Sequence, residues 1–351
     1  MLTFAAGPSK VYEALPHYLN DAYTQGILSA NHRSSVFMSL YEETEQLMKE
    51  KLHLPENYQL LFTSSATENW EIISQSIVQS ASFHVYSGSF GKKWIEFAKY
   101  ILPHTDGIKI QANQVIDVPN LEIEERFDLI AITQNETSNA SQVSMDYLEA
   151  IREKYAKKLI AVDTTSSMGG IELRFELADI WYASVQKCFG LPAGLGILIL
   201  GPKAKEQTLQ KGERGRYNSL TFMLENAASY QTHYTPNVLG IYLLNRVLQD
   251  IPEIQHTDKS LRERMLKLET CIAQTSSLRL LVDNELSRST TVLGVSGPEE
   301  LITRVKKEAE KQGMQLGSGY GPLKPTSFRI ANFPAITDAE IDRLIAFLST
   351  Y

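Results

Sequence analysis

The sequence is short of several things, and each shortage removes a class of protein. Only two cysteines, Cys188 and Cys271, occur in 351 residues, so no disulfide framework can be built. A reducing, cytoplasmic setting is expected. Long apolar runs are also missing. The longest, Ala193 to Leu200, falls far below the ~20 residues of a membrane-spanning helix, and the opening Met-Leu-Thr-Phe-Ala-Ala-Gly-Pro lacks the basic and apolar regions of a secretion signal. No membrane is expected as a partner. Nor are there blocks of basic charge. The 34 Lys and Arg are interspersed with 41 Asp and Glu, for a formal charge of -7, and offer nucleic acid no continuous basic surface. The seven histidines show no paired ligand spacing, so no metal site is expected. Asn135-Glu136-Thr137 and Asn139-Ala140-Ser141 match the glycosylation sequon, but without a secretion signal neither would meet the machinery that modifies it. Repeats, low-complexity tracts and long Pro/Gly/Ser linkers are absent as well.

What is present is an ordinary globular composition, 43% hydrophobic and 21% charged, in which short apolar runs alternate with amphipathic segments. Gln59 to Phe62 precedes Asn69 to Val78, Leu129 to Thr133 precedes Met145 to Tyr155, and Leu159 to Val162, Ile180 to Val185 and Gly196 to Leu200 follow. That rhythm predicts an α/β fold with a mostly parallel sheet and helices on both faces. The helix after Ser144 carries Met145, Leu148, Ile151 and Tyr155 on one stripe, with Ser144 as N-cap and Lys157-Lys158 near its C-terminal dipole. Beyond about residue 240, strand candidates Thr290 to Val295 and Phe328 to Asn332 are each followed by a helix, Glu299 to Gln312 and Asp338 to Ser349, the last opening on the capping box Thr337-Asp338-Ala339-Glu340. The expected organisation is an N-terminal arm (1–16), a large domain (17–240) and a smaller C-terminal α/β domain (241–351), with Tyr242 to Gln249 connecting the two.

The most informative stretch is Ala183-Ser184-Val185-Gln186-Lys187-Cys188-Phe189-Gly190-Leu191-Pro192-Ala193-Gly194-Leu195-Gly196, in which a lysine leaves a buried strand and enters a glycine-rich turn. A lysine in such a loop is ordinarily exposed. If buried, its pKa falls from about 10.4, and the neutral amine can form a Schiff base with an aldehyde. Asp163, at the end of Leu159-Ile160-Ala161-Val162, stands at the sheet edge where α/β proteins bind ligands. A carboxylate there can keep a pyridine nitrogen protonated, making the ring an electron sink.

The spacing from Asp163 to Lys187, the Ser184-x-Gln186-Lys187 sequence and Ala193-Gly194-Leu195 resemble class V pyridoxal-phosphate (PLP) dependent aminotransferases, and among them the phosphoserine aminotransferases. Gly7-Pro8, Asn31-His32-Arg33-Ser34-Ser35 and Asn135-Glu136-Thr137 extend the resemblance nearly end to end. It implies PLP-dependent transferase fold type I (aspartate aminotransferase-like), with Lys187 holding the cofactor and moving the substrate α-proton, and Asp163 on the ring nitrogen. Phe62-Thr63-Ser64-Ser65-Ala66-Thr67-Glu68 resembles the loop that holds the cofactor phosphate, through Ser65, Ala66 and Thr67; by itself it also reads as an ordinary helix N-cap. By the same resemblance Gln186, Tyr234 and Thr235 complete the phosphate cup, Thr235 from a second subunit, so a homodimer with shared sites is implied. Tyr234 stands where the family usually has asparagine. Phe90 falls where the family stacks an aromatic on the cofactor ring, though from sequence it could equally be core. Trp70 and Trp94 are assigned to core packing. Thr137 faces the cofactor's ring oxygen with Asn135 supporting the loop, unless both are simple turn chemistry.

Arg329 resembles the arginine that clamps the substrate carboxylate, a task its planar fork suits, and His32-Arg33 would face the substrate's distal acidic group from the partner subunit. Without the resemblance these are a strand arginine and a solvated pair. Two departures bear on the substrate. Gly317-Ser318-Gly319-Tyr320-Gly321-Pro322-Leu323-Lys324 lacks a His-Arg pair common in phosphoserine aminotransferases and keeps only the charge of Lys324, and Thr67-Glu68-Asn69 stands where an arginine often follows the phosphate loop. The expected substrates are a small amino acid and a 2-oxo acid, phosphoserine first. Alternatives are a class V reaction on alanine or serine with glyoxylate, or a PLP-fold binding protein without catalysis. Cys188 is a poor candidate for a desulfurase nucleophile.

Overall fold

The computed structural model describes residues 1–351. In chain order the strands are β1 (Leu2–Phe4), β2 (Gln59–Thr63), β3 (Ser82–Tyr86), β4 (Asp106–Lys109), β5 (Leu129–Thr133), β6 (Asn135–Glu136), β7 (Ser141–Gln142), β8 (Leu159–Asp163), β9 (Ile180–Ser184), β10 (Gly196–Leu200), β11 (Arg279–Leu280), β12 (Val292–Ser296), β13 (Met314–Ser318) and β14 (Ser327–Ala331). Seven form one sheet in the order β2-β10-β9-β8-β5-β3-β4. From β9 to β4 all neighbours run parallel, while β10 is antiparallel to both β9 and β2. The runs Leu-Ile-Ala-Ile-Thr and Leu-Ile-Ala-Val-Asp are buried at every position, as parallel strands covered on both faces should be.

Five strands form a second sheet, β1-β13-β14-β12-β11. Its edge strand β1 comes from the N-terminus and pairs parallel to β13 through Leu2 opposite Met314 and Phe4 opposite Leu316. Helices Glu299–Lys311 and Asp338–Leu348 put Leu301, Ile302, Val305, Ile341 and Leu344 into its core. The capping box at Thr337 and Glu340 forms with both of its hydrogen bonds. Helix Val238–Asp250 includes the expected connecting segment, and the long helix Ile254–Gln274 follows it.

The helix Met145–Lys154 starts at Ser144, whose hydroxyl accepts from Tyr147 N–H, and buries Leu148 and Ile151. Lys158 does not serve that helix's dipole. Its ammonium donates instead to the carbonyls of Glu124, Glu125 and Phe127. The larger hydrophobic core surrounds the seven-stranded sheet and the smaller one surrounds the second sheet. Ala140 and Cys188 belong to the smaller core, so the turn that begins at Lys187 crosses the seam between the two. No helix is long and apolar enough to cross a membrane.

Candidate active site

Strands β5 and β8 end side by side with Thr133 opposite Asp163, and β9 continues the edge with Tyr182 opposite Asp163. A cavity of about 230 Å³ opens at this carboxyl edge, closed on its other side by the second sheet and the N-terminal Ala6-Gly7-Pro8. Asp163, Lys187, Gln186, Asn135, Thr137, Phe90, Ser65, Ala66, Thr67 and Arg329 all line it. A larger cavity of about 440 Å³ lies between the arm and helix Ile254–Gln274, but its cations Lys10 and Arg264 are already paired with Glu340 and Asp338. Chemistry rather than volume selects the smaller one.

Lys187 is buried, and its ammonium donates to Thr137 Oγ1 at 2.8 Å and stands 5.2 Å from the Phe90 ring centroid. Burial pushes it down to about 8, against the attraction of Asp163 and Glu136. The close approach of the N-terminus depends on Gly7. Its φ is +142°, and a Cβ there would sit 2.8 Å from Lys187 Cε, so only glycine lets the chain pass. Asp163 is also buried and accepts the Thr165 N–H at 2.9 Å. Burial pushes its carboxyl up, offset in part by the Thr165 hydrogen bonds and by Lys187.

Ser166 knits the two sheets together. Its hydroxyl receives Thr137 Oγ1–H at 2.9 Å and one hydrogen of the Asn135 amide at 2.8 Å, and the same amide reaches Thr291 Oγ1 at 2.8 Å. Glu136 is fully buried and accepts from the N–H groups of Phe90, Gly91 and Ser138, fixing the start of helix Ser89–Ile101 that carries Phe90. Neither Ser166 nor Glu136 stood out in the sequence. Glu136 lay inside a recognised motif, but nothing marked its carboxylate as the group that places the aromatic.

At the phosphate-loop segment, Ser65 caps helix Ala66–Ser76 by accepting from Glu68 N–H. The Ala66 N–H donates to Ser184 Oγ at 2.7 Å, and Ser65, Ala66 and Thr67 line the cavity. Glu68 turns back onto Ser64 and Tyr217. Trp70 is buried as expected and donates to Tyr182 Oη at 2.9 Å, but it also forms part of the cavity wall. Trp94 packs edge-on against His84 and Tyr182 within the core. Burial pushes the Cys188 thiol up, consistent with a packed, unreactive sulfur.

Arg329 donates to the carbonyls of Ser318 and Thr137, each at 2.8 Å, and forms no ion pair. Burial lowers its guanidinium, against Tyr320 and Glu136. Four expected residues do not reach this cavity within one chain. His32 and Arg33 lie in the loop before helix Ser35–Leu52, and Tyr234 and Thr235 in the loop before helix Val238–Asp250. Lys324 is exposed and does not line the cavity either.

The residues fit PLP. Asn135 Oδ1 and Gln186 Oε1 are buried without a hydrogen-bond partner and belong to residues lining this one cavity. Buried polar atoms of this kind call for a ligand. Beside them are an amine shifted toward neutrality, a buried carboxylate and a flat aromatic wall.

Comparison with known proteins agrees. Residues 4–330 match the aminotransferase class-V family. The phosphoserine aminotransferase of Nocardioides sp. (strain ATCC BAA-499 / JS614) is 26% identical over 97% of this chain and 92% of its own length. The crystal structure of a phosphoserine aminotransferase from Cytophaga hutchinsonii superposes with a TM-score of 0.94 at 32% identity, covering 99% of this chain and 98% of that one. The alanine–glyoxylate aminotransferase of Nostoc sp. shares the fold, with a TM-score of 0.85 at 19% identity over 99% and 94% of the two chains. With the lysine, the carboxylate and the two sheets placed as the sequence implied, the chain belongs to the class V aminotransferases, PLP-dependent transaminases of fold type I.

Proposed function

We propose that this transaminase acts on phosphoserine and 2-oxoglutarate in serine biosynthesis, as a cytoplasmic homodimer. The observation that carries the substrate reading is Arg329. It lines the cavity that holds Lys187, is anchored by two neutral carbonyls and has no carboxylate of its own, which leaves a half-buried cation ready for a substrate carboxylate. The phosphoserine aminotransferases of Nocardioides and Cytophaga hutchinsonii, similar to this chain over nearly its whole length, support the choice of substrate.

When bound, PLP supplies an electron sink for negative charge at the substrate α-carbon. In this reading Lys187 would hold the cofactor and would carry the substrate α-proton, a task suited to an amine lowered to about 8. Asp163 would hold the ring nitrogen, Phe90 would stack on the ring, and Thr137 would meet its oxygen with Asn135 supporting the loop. Ser65, Thr67 and Gln186 receive the phosphate, with Ala66 shaping the loop. His32, Arg33, Tyr234 and Thr235 reach the site from the partner subunit, which is why one chain leaves them outside its cavity. The arm (1–16), large domain (17–240) and small domain (241–351) are the units in this reading.

A second reading, alanine or serine transamination with glyoxylate, is favoured by the absence of arginine from Gly317 to Lys324 and after Thr67. The visible absorption of PLP-loaded protein during titration with L-phosphoserine, L-alanine and L-serine separates the two. Conversion at low phosphoserine concentration is the expected result, and conversion by alanine or serine alone would overturn the phosphoserine reading.

A further inference from the structure

The substrate wall carries more positive charge than a carboxylate fork requires. The Arg329 guanidinium carbon lies 5.7 Å from the Tyr320 ring centroid, and Lys93 Nζ lies 5.7 Å from the same centroid while donating to Tyr320 Oη at 3.0 Å. Lys93 Nζ also stands 5.9 Å from the Phe90 centroid, the ring that Lys187 approaches to 5.2 Å. Phe90 and Tyr320 pack at 5.3 Å, so the two rings join the three cations into one cluster. Asp163 and Glu136 attract Lys187, and Glu136 attracts Arg329, but Lys93 forms no ion pair. Glu96 pairs with Lys92, and Glu136 is held by backbone N–H groups. Clustered cations without ion pairs repel one another, and an entering anion relieves that repulsion.

Lys93 is exposed and does not itself line the cavity, but it touches Tyr320 and Phe90, which do, from an element other than the one expected to supply charge. It belongs to helix Ser89–Ile101 on the seven-stranded sheet, whereas Tyr320 follows β13 and Arg329 lies on β14 of the second sheet. The Lys93–Tyr320 hydrogen bond therefore crosses the opening between the two sheets. The segment Gly317 to Lys324 supplies no cation to the cavity itself.

We propose that Lys93, held in place by Tyr320, is a further specificity-determining residue, beside His32 and Arg33, for a second acidic group on the amino-acid substrate, with Arg329 taking the α-carboxylate. A lysine suits this, because its compact charge and three donors on a flexible stem accommodate a phosphate or a carboxylate. The proposal rests on the reading of the chain as a transaminase for an acidic amino acid.

The test compares PLP-loaded wild type with Lys93→Ala, Lys93→Arg and Tyr320→Phe, using L-phosphoserine, L-glutamate and L-alanine. Two quantities are measured, the steady-state constants and the rise in Tm that each amino acid produces. Lys93→Ala should raise KM for phosphoserine about 10- to 100-fold, the span expected for one charge-assisted contact. Its kcat should change little, its constants for L-alanine should not change, and its phosphoserine-induced Tm rise should shrink. Lys93→Arg should restore most of the loss, and Tyr320→Phe should show a smaller effect in the same direction. A loss confined to phosphoserine identifies a phosphate subsite, and one shared with L-glutamate identifies a general anion subsite; both support the proposal. If wild type converts phosphoserine and Lys93→Ala does so with the same KM, or loses all three substrates equally, the role of Lys93 is overturned while the phosphoserine reading stands. If wild type converts L-alanine alone, both fall together.

Discussion

The two walls of the cavity treat their polar groups differently. On the wall formed by the seven-stranded sheet, hydroxyls, amides and carboxylates mainly satisfy one another: Thr137 and Asn135 meet on Ser166, Glu136 holds three backbone N–H groups, and Asp163 holds Thr165. On the facing wall Arg329, and at the rim between the two walls Lys93, contact only neutral oxygens. Such a network keeps most of its geometry whether or not a ligand is present, while the unpartnered Asn135 and Gln186 oxygens leave places for one. Cations held only by neutral partners are poised for a ligand that brings the opposite charge. The first wall fits a resident cofactor and the second a substrate that comes and goes.

Substitutions can separate the walls. The largest effect is expected for Asp163→Asn, which keeps the shape and removes the charge. The kcat should fall about 10²- to 10³-fold, as for loss of one preorganised electrostatic group, with similar losses for every amino acid tested. Arg329→Ala should weaken amino-acid binding by about 1.5–3 kcal/mol, roughly 10- to 100-fold in KM, while leaving the affinity for PLP within about twofold. If Arg329→Ala instead released the cofactor, the division into two walls would fail.

A smaller effect concerns stability without cofactor. The Lys187 amine titrates near 8 in the folded chain against about 10.4 unfolded. Between those values the unfolded chain binds more protons, so this group makes stability rise with pH, and its penalty is fully present below pH 8. Lys187→Met should therefore stabilise the cofactor-free protein at pH 7 by about 2 kcal/mol, the ~3 kcal/mol of the shift less about 1 kcal/mol for the lost hydrogen bond to Thr137, and flatten that rise, as read by urea unfolding at pH 7 and pH 9. Phe90→Leu should cost the least, weakening PLP binding by about 0.5–1.5 kcal/mol beyond the area lost without changing the order of substrate preference.

The sequence was most readable where one chemical reason determined the outcome. β5 and β10 have the bounds their apolar runs imply, and the capping box at Thr337 forms as written. β3 escaped notice because Ser82 and His84, which hydrogen-bond to each other inside the core, disguise a buried strand as a polar one. β13 was hidden by its glycine, although Met314–Ser318 is the strand that receives β1. The cofactor wall was legible because Asp163, Thr137 and Lys187 belong to short motifs. Lys93 was not, since nothing local distinguishes it from Lys92 or Lys99 on the same helix. Only the packing of one sheet against the other brings it to Tyr320.

The central claim is that this cavity holds PLP on Lys187. The direct measurement is borohydride reduction of the PLP-loaded protein followed by proteolysis and mass spectrometry of the lysine-containing peptides. The account predicts one pyridoxyl-phosphate increment, on the peptide containing Lys187, lost when L-phosphoserine is added before reduction. An increment on another lysine, or an Lys187 increment that no amino acid displaces, would contradict it.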